Sequence, residues 1–380
     1  FKQGDIGIRI ISSAGFIRGI GYVAHLDSYL KAMQLKFIPK QKLVLLLHSS
    51  QKKYIINNCI LDYLRDYIEI IEDPIEIRKL TPHAGDLEMN FTEPIFCDGK
   101  YFSSYFTFMS FVQRAWDNAK RKPLLTLHSD HVKRGELALT SFGLPKDAWF
   151  VTLHVREGDF KDPEPYRDAS IMDYVDAIDT VVERGGWVIR MGDASMPPLP
   201  PMEHVFDYAV SDIKSDWLDV YLCGACRFMV ATSSGLYALS HIFGKPFIQT
   251  NFLPTAALFF SDQDLFIPKL LQSKDTKKIL PFHKSMSTPY NFGINQGVYD
   301  NILRVNCTSN SKSEIKAGVL EMIDLLEGKQ IYTKEDKALQ KKFKKMTAKV
   351  ETLIGSEGAT IQCNIARDFL RAHKNLLGEQ

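Results

Sequence analysis

The chain has 380 residues, 45% hydrophobic and 24% charged, with a formal net charge of +2. This is the composition of an ordinary globular protein; it excludes disordered and collagen-like classes, and the length calls for about two domains. So small a charge gives no nucleic-acid footprint, although a local basic patch can still serve an anionic ligand. The six cysteines are scattered rather than arranged as a disulfide framework, which points to a reducing, cytoplasmic setting. No apolar run reaches the roughly 18 residues of a membrane span, and no signal-peptide pattern opens the chain. Because it begins at Phe1 without Met, an upstream leader or domain stays open.

In chain order, IGIRII (6–11) reads as a strand, SSAGFIRGIG as a glycine-broken turn and YVAHLDSYLKAMQ as a helix by its apolar spacing. KLVLLLH (42–48) reads as a buried strand, ILDYLRDY as a helix and YIEIIED as a strand ending before Pro74. An aromatic helical pattern covers 101–121, and GLPKDAW (143–149) forms a crossing. Residues 1–145 are thus expected to form one α/β domain.

The second half alternates more plainly. WFVTLHVR is a strand, ASIMDYVDAIDTVVER a helix stopped by Gly185-Gly186, and WVIRM a strand. HVFDYA, SDWLDVYLCGA, RFMVA, GLYALSHIF and FIQTN then read as strand, helix, strand, helix and strand. Such alternation implies a parallel, doubly wound sheet over 146–312. The remaining segment, 313–380, is expected to be helical and includes the basic KALQKKFKKMTAKV.

Ligands bind such sheets at the rim formed by loops leaving the strand C-termini. One of these loops is HVREGD. His154 and Arg156, two apart, should project together from the strand end; Arg156 can grip a phosphate with two hydrogen bonds, and Gly158 lets backbone approach a ligand. The second is the ATSSG turn, where Thr232, Ser233, Ser234 and Gly235 lie between a strand and a helix start and offer hydroxyls and N–H groups to an anion. Each element alone reads as readily as an ion pair or a helix cap. Together, on neighbouring strand ends, they suggest a nucleoside diphosphate.

HVREGD resembles the His-x-Arg-x-Gly-Asp motif of the fucosyltransferase superfamily with the GT-B fold, and DVYLCGACRFMVATSSGLYALSHIFGKP resembles its second motif. RIISSAGFIRGIGYVAHLDSYLK, RGGWVIRMGD, KSDWLDV and FIQTNFLP are similar to a family of bacterial glycosyltransferases described only at that level. The resemblance covers most of the chain. It implies an α/β, GT-B-like architecture: two Rossmann-like domains facing a cleft, with C-terminal helices. It also implies that Arg156 holds the β-phosphate of a sugar nucleotide, that Thr232, Ser233 and Ser234 embrace the diphosphate, and that His154 positions the donor. Metal independence and inversion of configuration follow from the same likeness. Glu157 stands where many fucosyltransferases carry a second Arg, a departure that counts against GDP-fucose.

The expected function is therefore glycosyl transfer to a glycan or other hydroxyl acceptor, with no cofactor and no metal. Asp159 is the candidate base, and Asp193 and Asp207 are alternatives for the base or for nucleoside recognition. Gly19 and Gly21 are expected to bring the first-domain loop close to a sugar, and His25 either faces that cleft or is structural. Two rivals stand beside this reading: a non-catalytic nucleotide-sugar or glycan-binding protein, and a phosphate-ester hydrolase or phosphotransferase. Cys223 and Cys226 are expected to be core, SDQD (261–264) a solvated turn, and the lysine-rich helix a solvated face, with peripheral membrane contact the lesser reading.

Overall fold

A computed structural model describes residues 7–83, 88–89, 95–102, 105–157, 164–255, 261–292, 295–329, 331–348 and 361–378. Gly158 and Asp159 lie outside the described residues. Near the start, strands β1 (Gly7–Ile11), β2 (Gln41–Leu46), β3 (Glu69–Ile71) and β4 (Glu88–Met89) pair in parallel in the order β3-β2-β1-β4. The helix Tyr22–Gln34 connects β1 to β2 and buries Val23, Leu26 and Leu30. A short antiparallel hairpin, β5 (Ile95–Cys97) with β6 (Lys100–Phe102), precedes the helix Tyr105–Asn118.

SSAGFIRGIG is not the expected turn. Ser12 accepts a hydrogen bond from the Ala14 N–H and starts a six-residue helix, Ser13–Arg18. Gly15 sits inside this helix for packing rather than for a turn: a Cβ there would lie 2.2 Å from the Tyr22 ring. A glycine needed for close approach carries the same letter as one needed for a bend.

The larger sheet contains β7 (Phe150–His154), β8 (Trp187–Met191), β9 (Val205–Phe206), β10 (Phe228–Ala231), β11 (Phe247–Phe252) and β12 (Leu265–Pro268). After an antiparallel ribbon of β13 (Leu270–Ser273) and β14 (Val305–Thr308), the last strand, β15 (Asn364–Ile365), joins its edge. All pairs in this sheet are parallel, in the order β15-β12-β11-β10-β7-β8-β9. Every residue of β7, β10 and β11 is buried, as expected where helices cover both faces. The chain runs outward from β7 through β8 to β9, then returns to β10 on the other side of β7. The topological switch point therefore falls between β7 and β10, where HVREGD and ATSSG begin. This is the α/β, GT-B-like arrangement of two Rossmann-like sheets with C-terminal helices.

The tail is more than an appended helical segment. Its helix Lys312–Leu326 packs on the helix Val175–Glu183 and on β11 and β12, and β15 extends the sheet. SDQD is not a wholly solvated turn either. Asp264 is buried and accepts hydrogen bonds from the N–H groups of Phe247 (3.0 Å) and Ser261 (2.7 Å), and burial pushes its carboxyl up to about 8. Cys223 and Cys226 are buried free thiols, as expected of core residues.

The two sheets' helices meet directly. Tyr22–Gln34 packs on the helix Tyr237–Ile242, while Cys59–Leu64 and Ser129–Ser141 pack on Asp216–Ala225. Asn57 Nδ2 donates to the Asp216 carbonyl (2.9 Å) and the Asn58 N–H donates to Asp216 Oδ2 (2.7 Å). No described helix is long and apolar enough to cross a membrane.

Candidate active site

β7 and β10 lie side by side with Ala231 opposite His154, so register brings the two motifs together. The Thr232 N–H donates to the His154 carbonyl (3.0 Å), and the Arg156 N–H donates to Thr232 Oγ1 (2.8 Å). Ser234 Oγ lies 3.0 Å from His154 Nδ1. The Ser233 hydroxyl accepts from the Leu253 N–H (3.0 Å), and Arg167 Nε donates to the Ser233 carbonyl (2.8 Å). The hydroxyls of Thr232 and Ser233 thus accept structural hydrogen bonds; Thr232 is wholly buried, so contrary to expectation its hydroxyl holds the loop rather than a ligand, and Ser234 is the most open of the three.

β7 ends at His154, and Arg156 lies just past it. Both are almost wholly buried, at 7% and 8% exposure. Arg156 Nε donates to Asp168 Oδ1 (3.0 Å), and its guanidinium reaches Glu164 at 4.0 Å. Lys269, also buried, donates to the Asp168 carbonyl (2.7 Å), and Arg167 pairs with Glu164. The loop returning after HVREGD therefore brings Glu164, Arg167 and Asp168 to Arg156, and Lys269, just past the end of β12, joins them at the Asp168 carbonyl. The imidazole of His154 is pushed down to about 4, first by burial and then by the charges of Arg190 and Lys214, which leaves it neutral near pH 7.

The helix after the turn begins later and is shorter than GLYALSHIF suggests. It spans Tyr237–Ile242, and Leu236 provides no side-chain cap. A six-residue helix adds little dipole, so the site's positive character rests on Arg156, Arg167 and Lys269.

The remaining candidates separate. Asp193 closes its own turn, accepting from the Ser195 N–H (2.9 Å) and hydroxyl (2.5 Å). Asp207 accepts from Arg190 Nη1 at both oxygens (3.1 and 3.2 Å) and from the Leu199 N–H (2.8 Å), so its carboxylate is already committed. His25 sits among Tyr22, Tyr105 and Phe106, and burial pushes it down to about 4. A Cβ placed on Gly19 would have no heavy atom within 4 Å, whereas one on Gly21 would lie 3.1 Å from Gly235 Cα. Gly21 and Gly235 are therefore where the backbone of the first domain rests on the ATSSG turn.

Sequence reasoning missed Glu164, Arg167, Asp168, Lys269 and Arg190. Only Arg190 left a signal: an arginine inside the apolar run WVIRM, fully buried in the structure. Among the described residues, no three His, Cys, Asp or Glu side chains are grouped to hold a metal.

No sequence family and no curated protein matches the chain. Among solved structures, it is similar to a family 9 glycosyl transferase from Veillonella parvula, at 10% identity and TM-score 0.49, covering 85% of this chain and 98% of that one. The E. coli ADP-heptose lipopolysaccharide heptosyltransferase II is 12% identical with TM-score 0.39, covering 64% and 84%. The iron-containing dodecameric glycosyltransferase TibC from enterotoxigenic E. coli is 15% identical with TM-score 0.44, covering 86% and 78%.

Proposed function

We propose that this protein is a glycosyltransferase that moves a sugar from a nucleoside-diphosphate sugar to a hydroxyl of a glycan or other acceptor. One observation carries the reading: at the switch point, Arg156 and the Thr232–Ser234 turn converge beside Gly21 of the other domain. A sheet rim that gathers cations and hydroxyl donors suits a diphosphate, and a second domain at the same point supplies a wall for the acceptor.

In this mechanism the acceptor oxygen forms a bond to the anomeric carbon as the bond from that carbon to the diphosphate oxygen breaks. The electron pair stays on the leaving diphosphate, where Arg156 meets the growing charge, with Arg167 and Lys269 close by. The acceptor proton passes to a carboxylate, for which Asp159 is the candidate. His154, neutral and held by Ser234, orients the donor rather than carrying charge. Attack from the face opposite the leaving group inverts configuration. The donor is fixed by cations alone in this scheme, without a metal or other cofactor.

A thermal-shift panel of ADP-, GDP-, UDP- and CMP-linked sugars tests the reading, because a cognate donor at about 100 times its Kd adds roughly 2.7 kcal/mol of stability. Sugar transfer with the stabilising donor completes the case. Stabilisation by no nucleotide sugar would refute it, and stabilisation without transfer to any acceptor would leave a binding protein.

A further inference from the structure

Arg156 is flanked by two carboxylates, and the structure holds them differently. Asp168 accepts from Arg156 Nε at 3.0 Å, and its own carbonyl is tied down by Lys269 (2.7 Å), so it anchors the guanidinium. Glu164 stands on the Nη2 side at 4.0 Å, a charge contact beyond hydrogen-bond reach. The same oxygen, Oε2, accepts from Arg167 Nη1, and Arg167 in turn donates through Nε to the Ser233 carbonyl of the ATSSG turn (2.8 Å). One carboxylate oxygen is therefore shared by the guanidinium of the first motif and the guanidinium held on the second.

Part of this is local. Glu164 and Arg167 are three apart around the short turn Pro165–Arg167, a spacing at which ion pairs form readily. Local pairing does not account for the approach of the same oxygen to Arg156, at the end of β7. Nor is the arrangement sealed: the side chains keep 10% exposure at Arg156, 18% at Glu164 and 23% at Arg167, so an anion arriving from solvent can reach each of them. An anionic oxygen between two guanidinium groups has the place that a phosphoryl oxygen takes in arginine-lined sites.

We propose that Glu164 is a stand-in for the donor's diphosphate: its carboxylate holds Arg156 and Arg167 until the diphosphate of a sugar nucleotide takes them over. The inference rests on the reading of this rim as a diphosphate site. A phosphoryl group brings more charge and more acceptor oxygens than one carboxylate, so it wins the exchange. The exchange has two consequences. Apparent donor affinity falls in proportion to the fraction of molecules in which the carboxylate is in place. After sugar transfer, the same carboxylate competes with the departing nucleoside diphosphate for the arginines and speeds its release.

The test is isothermal titration of inorganic pyrophosphate, which requires no particular base or sugar, into the parent protein and its variants, each checked for a cooperative melt. Glu164→Gln keeps the shape of the side chain and an acceptor for the Tyr166 hydroxyl, 3.1 Å away, but loses the charge. It should bind pyrophosphate about 10-fold more tightly, the equivalent of roughly one charge-assisted hydrogen bond that the ligand no longer displaces. Glu164→Ala should move affinity in the same direction. Asp168→Ala releases Arg156 Nε and should bind about 10-fold more weakly. Opposite signs from two carboxylates on one arginine separate a competitor from a support, because loss of a purely supporting carboxylate can only weaken binding. Unchanged or weaker binding by both Glu164 variants, with the parent still binding, overturns the stand-in and leaves the diphosphate site in place. Pyrophosphate that binds neither the parent nor the Glu164 variants defeats the diphosphate reading and the stand-in with it.

Discussion

Replacing Gly235 by Ala probes whether the contact between the two domains is part of the reacting geometry. The new Cβ would lie 2.7 Å from Gly21 N, 3.2 Å from Gly21 Cα and 3.3 Å from Ile20 Cγ2. Carbon contacts settle near 3.5–4.0 Å, so the turn and the first-domain loop must part by about 1 Å. Two of the three obstructing atoms are backbone, so no rotamer change relieves them. Overpacking of this kind costs about 1–3 kcal/mol of stability. If the turn holds the donor and the opposing loop frames the acceptor, a misplacement of about 1 Å should lower kcat on the order of 100-fold, with donor affinity little changed. Gly19→Ala is the control, since Gly19 has nothing within 4 Å and an extended φ of 179° that any residue adopts. Single-turnover rates and donor Kd on both variants decide the matter. A folded Gly235→Ala protein that transfers sugar as fast as Gly19→Ala would show that the Gly21 contact has no part in catalysis.

Further outcomes follow from the same geometry. Arg156→Lys removes the planar fork that Asp168 orients, and should lower kcat about 100-fold rather than merely raise KM; near wild-type single-turnover chemistry would give Arg156 a structural role. Ser233→Ala with Ser234→Ala should weaken nucleoside diphosphate binding, measured by titration on protein that still melts cooperatively, and unchanged affinity would reduce the turn to a structural connection. Because His154 is pushed from 6.5 down to about 4 on folding, the unfolded chain takes up a proton that the folded one refuses as pH falls from 6.5 to 4. Stability should therefore drop with acidification, this residue contributing about 2 kcal/mol of loss by pH 5, and urea unfolding of His154→Gln should show a correspondingly flatter pH dependence. Turnover should survive EDTA; loss on chelation with rescue by manganese or magnesium would overturn the cation-only scheme.

Local pattern makes much of this protein legible. The run WFVTLHV is rich in strand formers and free of turn residues, which marks β7 as a strand and its end as a rim. The helix Tyr22–Gln34 is evident to the residue from its apolar spacing, and the motif order places Arg156 and Ser234 on two strand ends of one sheet. SSAGFIRGIG misleads because Gly15 makes room for the Tyr22 ring, a packing need that looks like a turn signal in sequence. The short tail strand β15 escapes notice because two residues carry no period.

What the sequence determined by itself was most of the long strands and helices of the two parallel sheets and the chemistry at two loop tips, because side-chain period and cap residues act within a few positions of the chain. Only the tertiary structure decided which distant groups meet there. Asp168 and Lys269 close around Arg156 because a loop returns and β12 ends nearby; Asp207 is taken from the list of bases because Arg190, buried in the next strand, already holds it. Gly21 meets Gly235 for the same physical reason: such pairings are fixed by strand order and domain packing, which bring together residues with no relation in spacing.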